Sequence, residues 1–299
     1  MLKYRFMLIT AAFFWGTAFV AQRVSTGAIG PFAFNGIRFL IGAIAILPLV
    51  WRAFSKGQNT APAGSCRIPV VGAAAILGFI LFSGAALQQV GLFYTTAGKA
   101  GFITALYIVF VPLFGLLLGN ALRISHVIGC VLAFAGLYLL AFHGAGEAIN
   151  QGDALVLLGV IFWTLHILAV GCFVRYYSGL TLAFGQFIGC SIFNLLAMPF
   201  AGETLTFSMI SGAMVPILYC GLFSSGVGFT LQIIGQEKVP PTEASLLCSF
   251  EMIFSAIAGF ILINELMSFN EVMGAVLMTV GIFSAQIPSR AIFNEKSLP

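Results

Sequence analysis

Ten apolar runs of about twenty residues set the strongest limit on how this chain can fold. Only 7% of its 299 residues are charged, whereas about a quarter of the residues of a soluble domain carry a charge. A helix of about 20 apolar residues crosses the hydrocarbon core of a bilayer, and the runs lack the short alternating segments of an outer-membrane barrel. We therefore predict an all-α integral membrane protein with ten transmembrane helices, at residues 5–24, 31–51, 69–92, 98–119, 124–142, 153–174, 180–200, 211–235, 241–263 and 269–288.

Lysine and arginine residues predict the orientation of these spans. With the N-terminus in the cytoplasm, only Arg23 and Lys99 lie at the outer side, and Arg38 lies within the second span. Such a bias is typical of cytoplasmic loops. We expect a multi-pass protein of the cytoplasmic (inner) membrane with both termini in the cytoplasm, including a tail at 289–299. The cytoplasmic lysine and arginine residues would be Lys3, Arg5, Arg52, Lys56, Arg67, Arg123, Arg175, Lys238, Arg290 and Lys296.

The two halves of the chain share four short patterns in the same order, at offsets of between 144 and 150 residues. Each half holds five spans, and an odd number makes the second half enter the membrane from the opposite side. This arrangement is an inverted repeat, which is common among secondary transporters. We predict two repeats, at 5–142 and 153–288. The matching patterns are Phe14-Trp15 with Phe162-Trp163, 32–34 with 182–184, 83–88 with 227–232, and Val127, Gly129 and Gly136 with Val272, Gly274 and Gly281.

A family resemblance follows from these motifs. The segments Ala12–Phe19 (AFFWGTAF) and Pro31–Phe39 (PFAFNGIRF) resemble the start of an EamA domain, as do Pro112-Leu113 and the segment Asn264–Gly281 later in the chain. The chain resembles ten-span members of the drug/metabolite transporter superfamily with two EamA repeats. The resemblance implies export of metabolites such as amino acids through a central cavity that both repeats line. The acidic residue that the family often has near residue 120 is absent, and Glu265, its counterpart in the second repeat, is interpreted as a helix-end or loop residue.

Glu251 is the most unusual residue of the ninth predicted span. It lies ten residues after the start of the span, which is roughly 15 Å along a helix axis and near the midplane of the bilayer. A charge there costs about 2.5–3.5 kcal/mol or more, so the side chain should face a cavity or a partner. Glu251 could bind a substrate amine or take up a proton, or it could be a hydrogen-bonded structural acid; we favour the first reading. Its repeat-related residue is Tyr107.

Further polar and aromatic residues are candidates for the cavity wall, although amides and rings in a span also serve helix packing. Arg38 could anchor a substrate carboxylate, but we interpret it as structural. Lys99 and Glu243 occupy equivalent positions at opposite membrane faces, so they are candidate gate residues or simple interface anchors. The cavity candidates are Glu251, Trp15, Gln88, Tyr107, Trp163, Gln232 and Asn35.

These features predict a secondary transporter, an exporter of small polar metabolites such as amino acids, that works by alternating access. The expected partners are a small-molecule substrate, the lipid bilayer and, as an option, protons. Cofactors, metals and nucleic acids are not expected, and the oligomeric state stays open. The alternatives are a facilitator or importer of a vitamin-like or hydrophobic metabolite, and a membrane-embedded lipid-handling enzyme, for which no catalytic constellation is apparent.

Overall fold

The computed structural model of the protein describes residues 1–56, 66–116, 122–141, 150–284, 287 and 291–293. These residues form a bundle of helices and one short antiparallel strand pair. The strands are β1 (Leu122–Arg123) and β2 (Ala291–Phe293). The helices are α1 (Leu2–Ser25), α2 (Pro31–Ser55), α3 (Val70–Gly91), α4 (Ala97–Thr104), α5 (Tyr107–Gly115), α6 (Ile124–Ala141), α7 (Gln151–Phe173), α8 (Gly179–Phe200), α9 (Phe207–Gly212), α10 (Met214–Tyr219), a π-helix (Cys220–Phe229), α11 (Thr230–Gln236), α12 (Pro241–Cys248), α13 (Glu251–Ile263) and α14 (Phe269–Ser284).

The ten predicted spans each coincide with helical structure, which confirms the predicted all-α membrane fold. Within the described ranges, eight segments are long and apolar enough to cross a bilayer, and the shorter apolar helices at Val127–Gly136 and Phe269–Gly281 supply the fifth and tenth positions. The predicted ends at 119, 142 and 288 lie outside the described residues, as does most of the tail at 289–299.

The fourth and ninth spans lie where they were predicted, but each is interrupted near its middle, between α4 and α5 and between α12 and α13. Backbone hydrogen bonds tighten to a spacing of three residues at Ile108 N to Ala105 O and at Met252 N to Ser249 O, each 3.1 Å long. Ser249 Oγ also donates to the Leu246 carbonyl at 2.7 Å, which competes with the helical pattern. Tyr107 and Glu251 therefore occupy the same place, the first residue of a second half-helix.

The eighth span differs from its counterpart in the first repeat. Its middle, Cys220–Phe229, is a π-helix, whereas the equivalent residues of the third span lie within the regular helix α3. Wide π-helical turns are rare and commonly found at functional sites. The symmetry of the two repeats is therefore broken at one wall of the molecule.

Helices of one repeat pack between helices of the other, and glycines allow the close crossings. A Cβ added to Gly78 of α3 would lie 3.0 Å from Gly189 Cα of α8. Helices α6 and α14 interlock in the same way, because a Cβ on Gly136 would lie 2.6 Å from Gly274 O. Close backbone approach at small residues is the usual way in which helices associate in a bilayer. The interleaving places the centre of the bundle between the repeats.

Acidic side chains hold several helix starts. Glu203 accepts hydrogen bonds from the backbone N–H groups of Phe32 and Ala33 at 3.1 and 2.9 Å. Glu265 accepts from Ala97 and Gly98, at the start of α4, at 3.1 and 3.2 Å. A carboxylate is favoured at the positive end of a helix dipole. Glu265 lies in the loop between α13 and α14 and holds the start of α4, which agrees with the helix-end or loop role inferred from the sequence.

Candidate functional site: a cavity between the repeats

A cavity of ≈ 40 Å³ lies in the middle of the bundle, and helices of both repeats line it. Six of the seven predicted cavity candidates are in its wall, together with Arg38. The half-helix breaks and the π-helix all meet there. The lining residues are Trp15, Phe19, Gln22, Arg38, Gln88, Thr104, Tyr107, Trp163, His166, Ile167, Ser224, Phe229, Gln232 and Glu251.

Glu251 and Tyr107 form the acidic part of the wall. Each begins a half-helix, and each side chain is 3% exposed. Both groups line the same cavity, and Glu251 Oε1 and Tyr107 Oη make no hydrogen bond of normal geometry to any described residue. The tight turn before each residue directs both side chains toward the same space, so the repeat symmetry brings an acid and a hydroxyl together.

Five buried polar atoms of the cavity wall lack a hydrogen-bond partner among the described residues. Buried polar groups in native proteins are nearly always paired, with protein or with ordered water. Three of the five can donate and two accept, which suits a small molecule that carries both kinds of group. These atoms are Thr104 Oγ1, Tyr107 Oη, Trp163 Nε1, Gln232 Oε1 and Glu251 Oε1.

Two tryptophans form symmetry-related walls. The Trp163 ring lies over Gly84, where an added Cβ would be 3.2 Å from ring atom Cδ2, and the Trp15 indole lies over Gly228, where it would be 2.8 Å from Nε1. The first span of each repeat thus packs its tryptophan on a glycine of the other repeat. Phe229 of the π-helix lies between them, with ring centroids 4.7 Å from Trp15 and 6.0 Å from Trp163. The result is an aromatic surface beside the acid.

The two equivalent glutamines have different partners. Gln88 Nε2 donates to Gln22 Oε1 at 3.1 Å, and Gln232 Nε2 donates to Gln236 Oε1 at 2.6 Å. Gln236 in turn donates to Ile167 O at 2.9 Å. Both amides therefore belong to helix–helix networks, and Gln232 Oε1 keeps an unused acceptor at the cavity.

Arg38 is a buried cation at the cavity, 2% exposed. Its Nε donates to Asn35 Oδ1 at 2.9 Å, and its guanidinium carbon lies 4.6 Å from the centroid of the Phe39 ring. No described acidic residue forms an ion pair with it. Cation–π contacts with Phe34 and Phe39 and one amide hold the guanidinium, and no acidic side chain in the described part of the chain balances its charge.

Asn35 is the one cavity candidate that the structure does not place in the cavity wall. Its amide nitrogen donates to Ala85 O at 3.0 Å and its oxygen accepts from Arg38, so both ends of the amide are occupied. Asn35 therefore positions Arg38. Conversely, Thr104 and Phe229 line the cavity although the sequence does not single them out. Thr104 lies three residues before Tyr107, a spacing that could have suggested it, whereas Phe229 depends on the π-helix.

The two candidate gate residues lie away from the cavity, at opposite ends of the bundle. Lys99 Nζ is 3.1 Å from Glu271 Oε1, and both side chains are about nine-tenths buried. Glu243 Oε1 is 2.5 Å from Arg5 Nε, in a pair that is partly exposed. Each candidate therefore joins the start of its span to the start of another span.

Known proteins resemble the chain over nearly its whole length. Residues 2–142 and 150–285 match the EamA-like transporter family. An uncharacterized transporter of Archaeoglobus fulgidus is 30% identical over 277 residues, which is 92% of this chain and 83% of the relative. A WAT1-related chloroplastic protein of Arabidopsis thaliana is 25% identical over 94% of this chain and 69% of its own.

One solved crystal structure has the same fold, with a TM-score of 0.71 at 20% identity over 95% of this chain and 98% of the other. The ten helical spans, the cavity between interleaved halves and these matches agree with one another. The chain belongs to the EamA-like transporter family and is a membrane transporter.

Proposed function

We propose that the protein is a secondary transporter that exports small zwitterionic metabolites, amino acids above all, by alternating access. The observation that carries this proposal is that one cavity holds a basic and an acidic side chain, each without an ion-pair partner among the described residues. These side chains are Arg38 and Glu251, which both line the cavity and are both buried. An unpaired charge within a bilayer is expensive, so a ligand that supplies both countercharges would be favoured.

The polar wall defines how a zwitterion would bind. Its ammonium group would donate to Glu251 Oε1 and Gln232 Oε1, and its carboxylate would accept from the Arg38 guanidinium. A nonpolar side chain would rest on the aromatic surface of Trp15, Trp163 and Phe229. A site that hydrogen-bonds both ends of its ligand discriminates strongly against an analogue that lacks one end, because a buried group is then left unpaired.

The cavity must widen to admit such a ligand. At about 10–15 Å³ per water molecule, ≈ 40 Å³ holds about three waters, which is less space than an amino acid needs. This size fits a contracted state of the transport cycle. The breaks before Tyr107 and Glu251 supply places where half-helices can tilt, and discontinuous helices surround substrate sites in many transporters. In this proposal the repeats at 5–142 and 153–288 rock against each other, with both termini in the cytoplasm.

Glu251 would also couple transport to protons. A single buried carboxyl group can hold either a proton or the ammonium group of the substrate. Competition between the two produces antiport, in which proton entry drives substrate export. This step needs no group beyond Glu251 itself and the cavity around it.

Ligand-dependent stability of the purified protein tests the substrate class. A neutral amino acid at 100 times its dissociation constant should stabilise the fold by roughly 2.7 kcal/mol. Its N-acetyl derivative, which lacks the ammonium group, and its amide, which lacks the carboxylate, should stabilise it far less. The same three compounds are then compared by counterflow in sealed proteoliposomes, where only the zwitterion should exchange.

Matched variants identify the two ends of the site. Arg38→Gln should lose selectivity against the amide, and Glu251→Gln should lose selectivity against the N-acetyl derivative. Stabilisation by a vitamin-like or hydrophobic compound, with no response to any amino acid, would overturn the proposal in favour of a facilitator of such compounds.

A further inference from the structure

The ends of the molecule carry a charge pattern that the substrate cavity does not use. Lys99 and Glu243 are equivalent residues, 144 positions apart, at the starts of the fourth and ninth spans. Arg5 and Asp153 are equivalent in the same way, 148 positions apart, at the starts of the first and sixth spans, which is the offset of Trp15 and Trp163. In each pair of equivalent residues, one residue is basic and the other is acidic.

Backbone packing supports this equivalence. A Cβ added to Gly235 would lie 3.3 Å from Tyr4 O, and a Cβ added to Gly91 would lie 2.8 Å from Gly152 O. Gly235 and Gly91 are 144 positions apart, and Tyr4 and Gly152 are 148 apart. The start of the first span therefore packs against the end of the eighth span, and the start of the sixth span packs in the same way against the end of the third span.

Only one of the two equivalent ion pairs is formed. At the end that carries the N-terminus, Arg5 Nε is 2.5 Å from Glu243 Oε1. At the opposite end, Lys99 pairs instead with Glu271 at 3.1 Å. Asp153 accepts a short hydrogen bond from Thr95 Oγ1, and its second oxygen, Oδ2, has no partner among the described residues although the residue is 2% exposed.

We infer that Lys99 and Asp153 form a second gate pair, which closes the end opposite the N-terminus when the Arg5–Glu243 pair opens. This inference rests on the alternating access proposed above. When inverted repeats exchange their conformations, each residue takes up the environment of its equivalent. Lys99 then moves from Glu271 to Asp153, and the unpaired oxygen of Asp153 gains the cation that it lacks. The Arg5–Glu243 pair and the Lys99–Asp153 pair therefore form in alternate conformations of the transporter.

Cysteine cross-linking tests this inference without any substrate. A bifunctional thiol reagent with a short spacer replaces the reach of the two long side chains, because a direct disulfide needs Cβ atoms about 3.5–4.5 Å apart. The double variant Lys99→Cys/Asp153→Cys should cross-link with this reagent in membranes, as should Arg5→Cys/Glu243→Cys and the control pair Lys99→Cys/Glu271→Cys. The exposed or partly buried native cysteines are first replaced, and the three buried ones are kept to preserve the core; those replaced are Cys66, Cys130 and Cys172.

The outcome that supports the inference is mutual exclusion. Locking Arg5→Cys/Glu243→Cys should abolish cross-linking of Lys99→Cys/Asp153→Cys carried in the same chain. If the 99–153 link never forms, the second gate pair is refuted while the proposed transport function stands. If the 99–153 and 5–243 links form in the same molecules, the two pairs are not mutually exclusive and the inference is refuted, while counterflow in proteoliposomes tests alternating access separately.

Two variants, each of which removes one charge, provide an independent check. They are made in the same background, in which only the three buried native cysteines remain. A reporter, Thr104→Cys, is labelled in oriented vesicles with a membrane-impermeant maleimide added at the end opposite the N-terminus. Asp153→Asn should increase labelling and Arg5→Gln should decrease it, each about two- to five-fold, since an exposed ion pair such as Arg5–Glu243 is a weak lock. Shifts in the same direction, or no shift in either variant, would overturn the inference.

Discussion

Gly16 lies where α1 crosses the broken ninth span, and its replacement by alanine tests the packing that positions Glu251. An added Cβ would lie 2.5 Å from Phe254 Cβ, 2.6 Å from Glu251 O and 2.9 Å from Ser255 N. Ordinary contacts of this kind are 3.4–4 Å, so the two helices must separate by about 1 Å. Two of the three contacts are backbone atoms, which cannot rotate away. Overpacking of this kind costs about 1–3 kcal/mol.

Gly159→Ala is the matched control for this substitution. Gly159 lies inside α7, the first helix of the second repeat, and its added Cβ would meet its nearest neighbours at 3.6 Å. Both variants gain the same helix propensity, about 1 kcal/mol, so the difference between them measures the clash alone. Thermal unfolding in detergent should place Gly16→Ala below Gly159→Ala by roughly 2–10 °C. Equal melting temperatures would show that α1 and α13 are not held as closely as the structure shows.

Three further substitutions separate the roles of the cavity and the helix ends. Glu251→Gln should fold normally but abolish the pH dependence of counterflow, and an unchanged pH profile would exclude Glu251 as the coupling group. Tyr107→Phe removes a buried hydroxyl that makes no hydrogen bond to the described residues, so stability should be unchanged or slightly higher while substrate affinity falls about ten-fold; a marked loss of thermal stability would contradict this. Glu265→Ala removes two hydrogen bonds from the start of α4 and should cost about 0.5–2 kcal/mol, with counterflow retaining its pH profile. Equal unfolding of the wild type and this variant would exclude a capping role.

The number of spans, their approximate positions and the relation of the two halves were predictable from the chain alone. Insertion of a helix depends on the summed transfer free energy of about twenty consecutive residues, and that sum is a local property. The repeats are visible for a similar reason, since Trp15 and Trp163, or Gly84 and Gly228, keep their order along the chain. The cavity candidates followed from one rule, that a polar residue in an apolar span needs a reason to be there.

The partners of those residues depended on which helices cross, and no local pattern contains that information. Asn35 forms hydrogen bonds with Arg38 and Ala85 and does not line the cavity. Phe229 is the last residue of the π-helix and lies in the cavity wall, and no local sequence pattern predicted that helix. Glu251 faces Tyr107 because both spans break at equivalent places. Side-chain partners are set by contacts between residues far apart in the chain, whereas the membrane spans are set by residues next to one another.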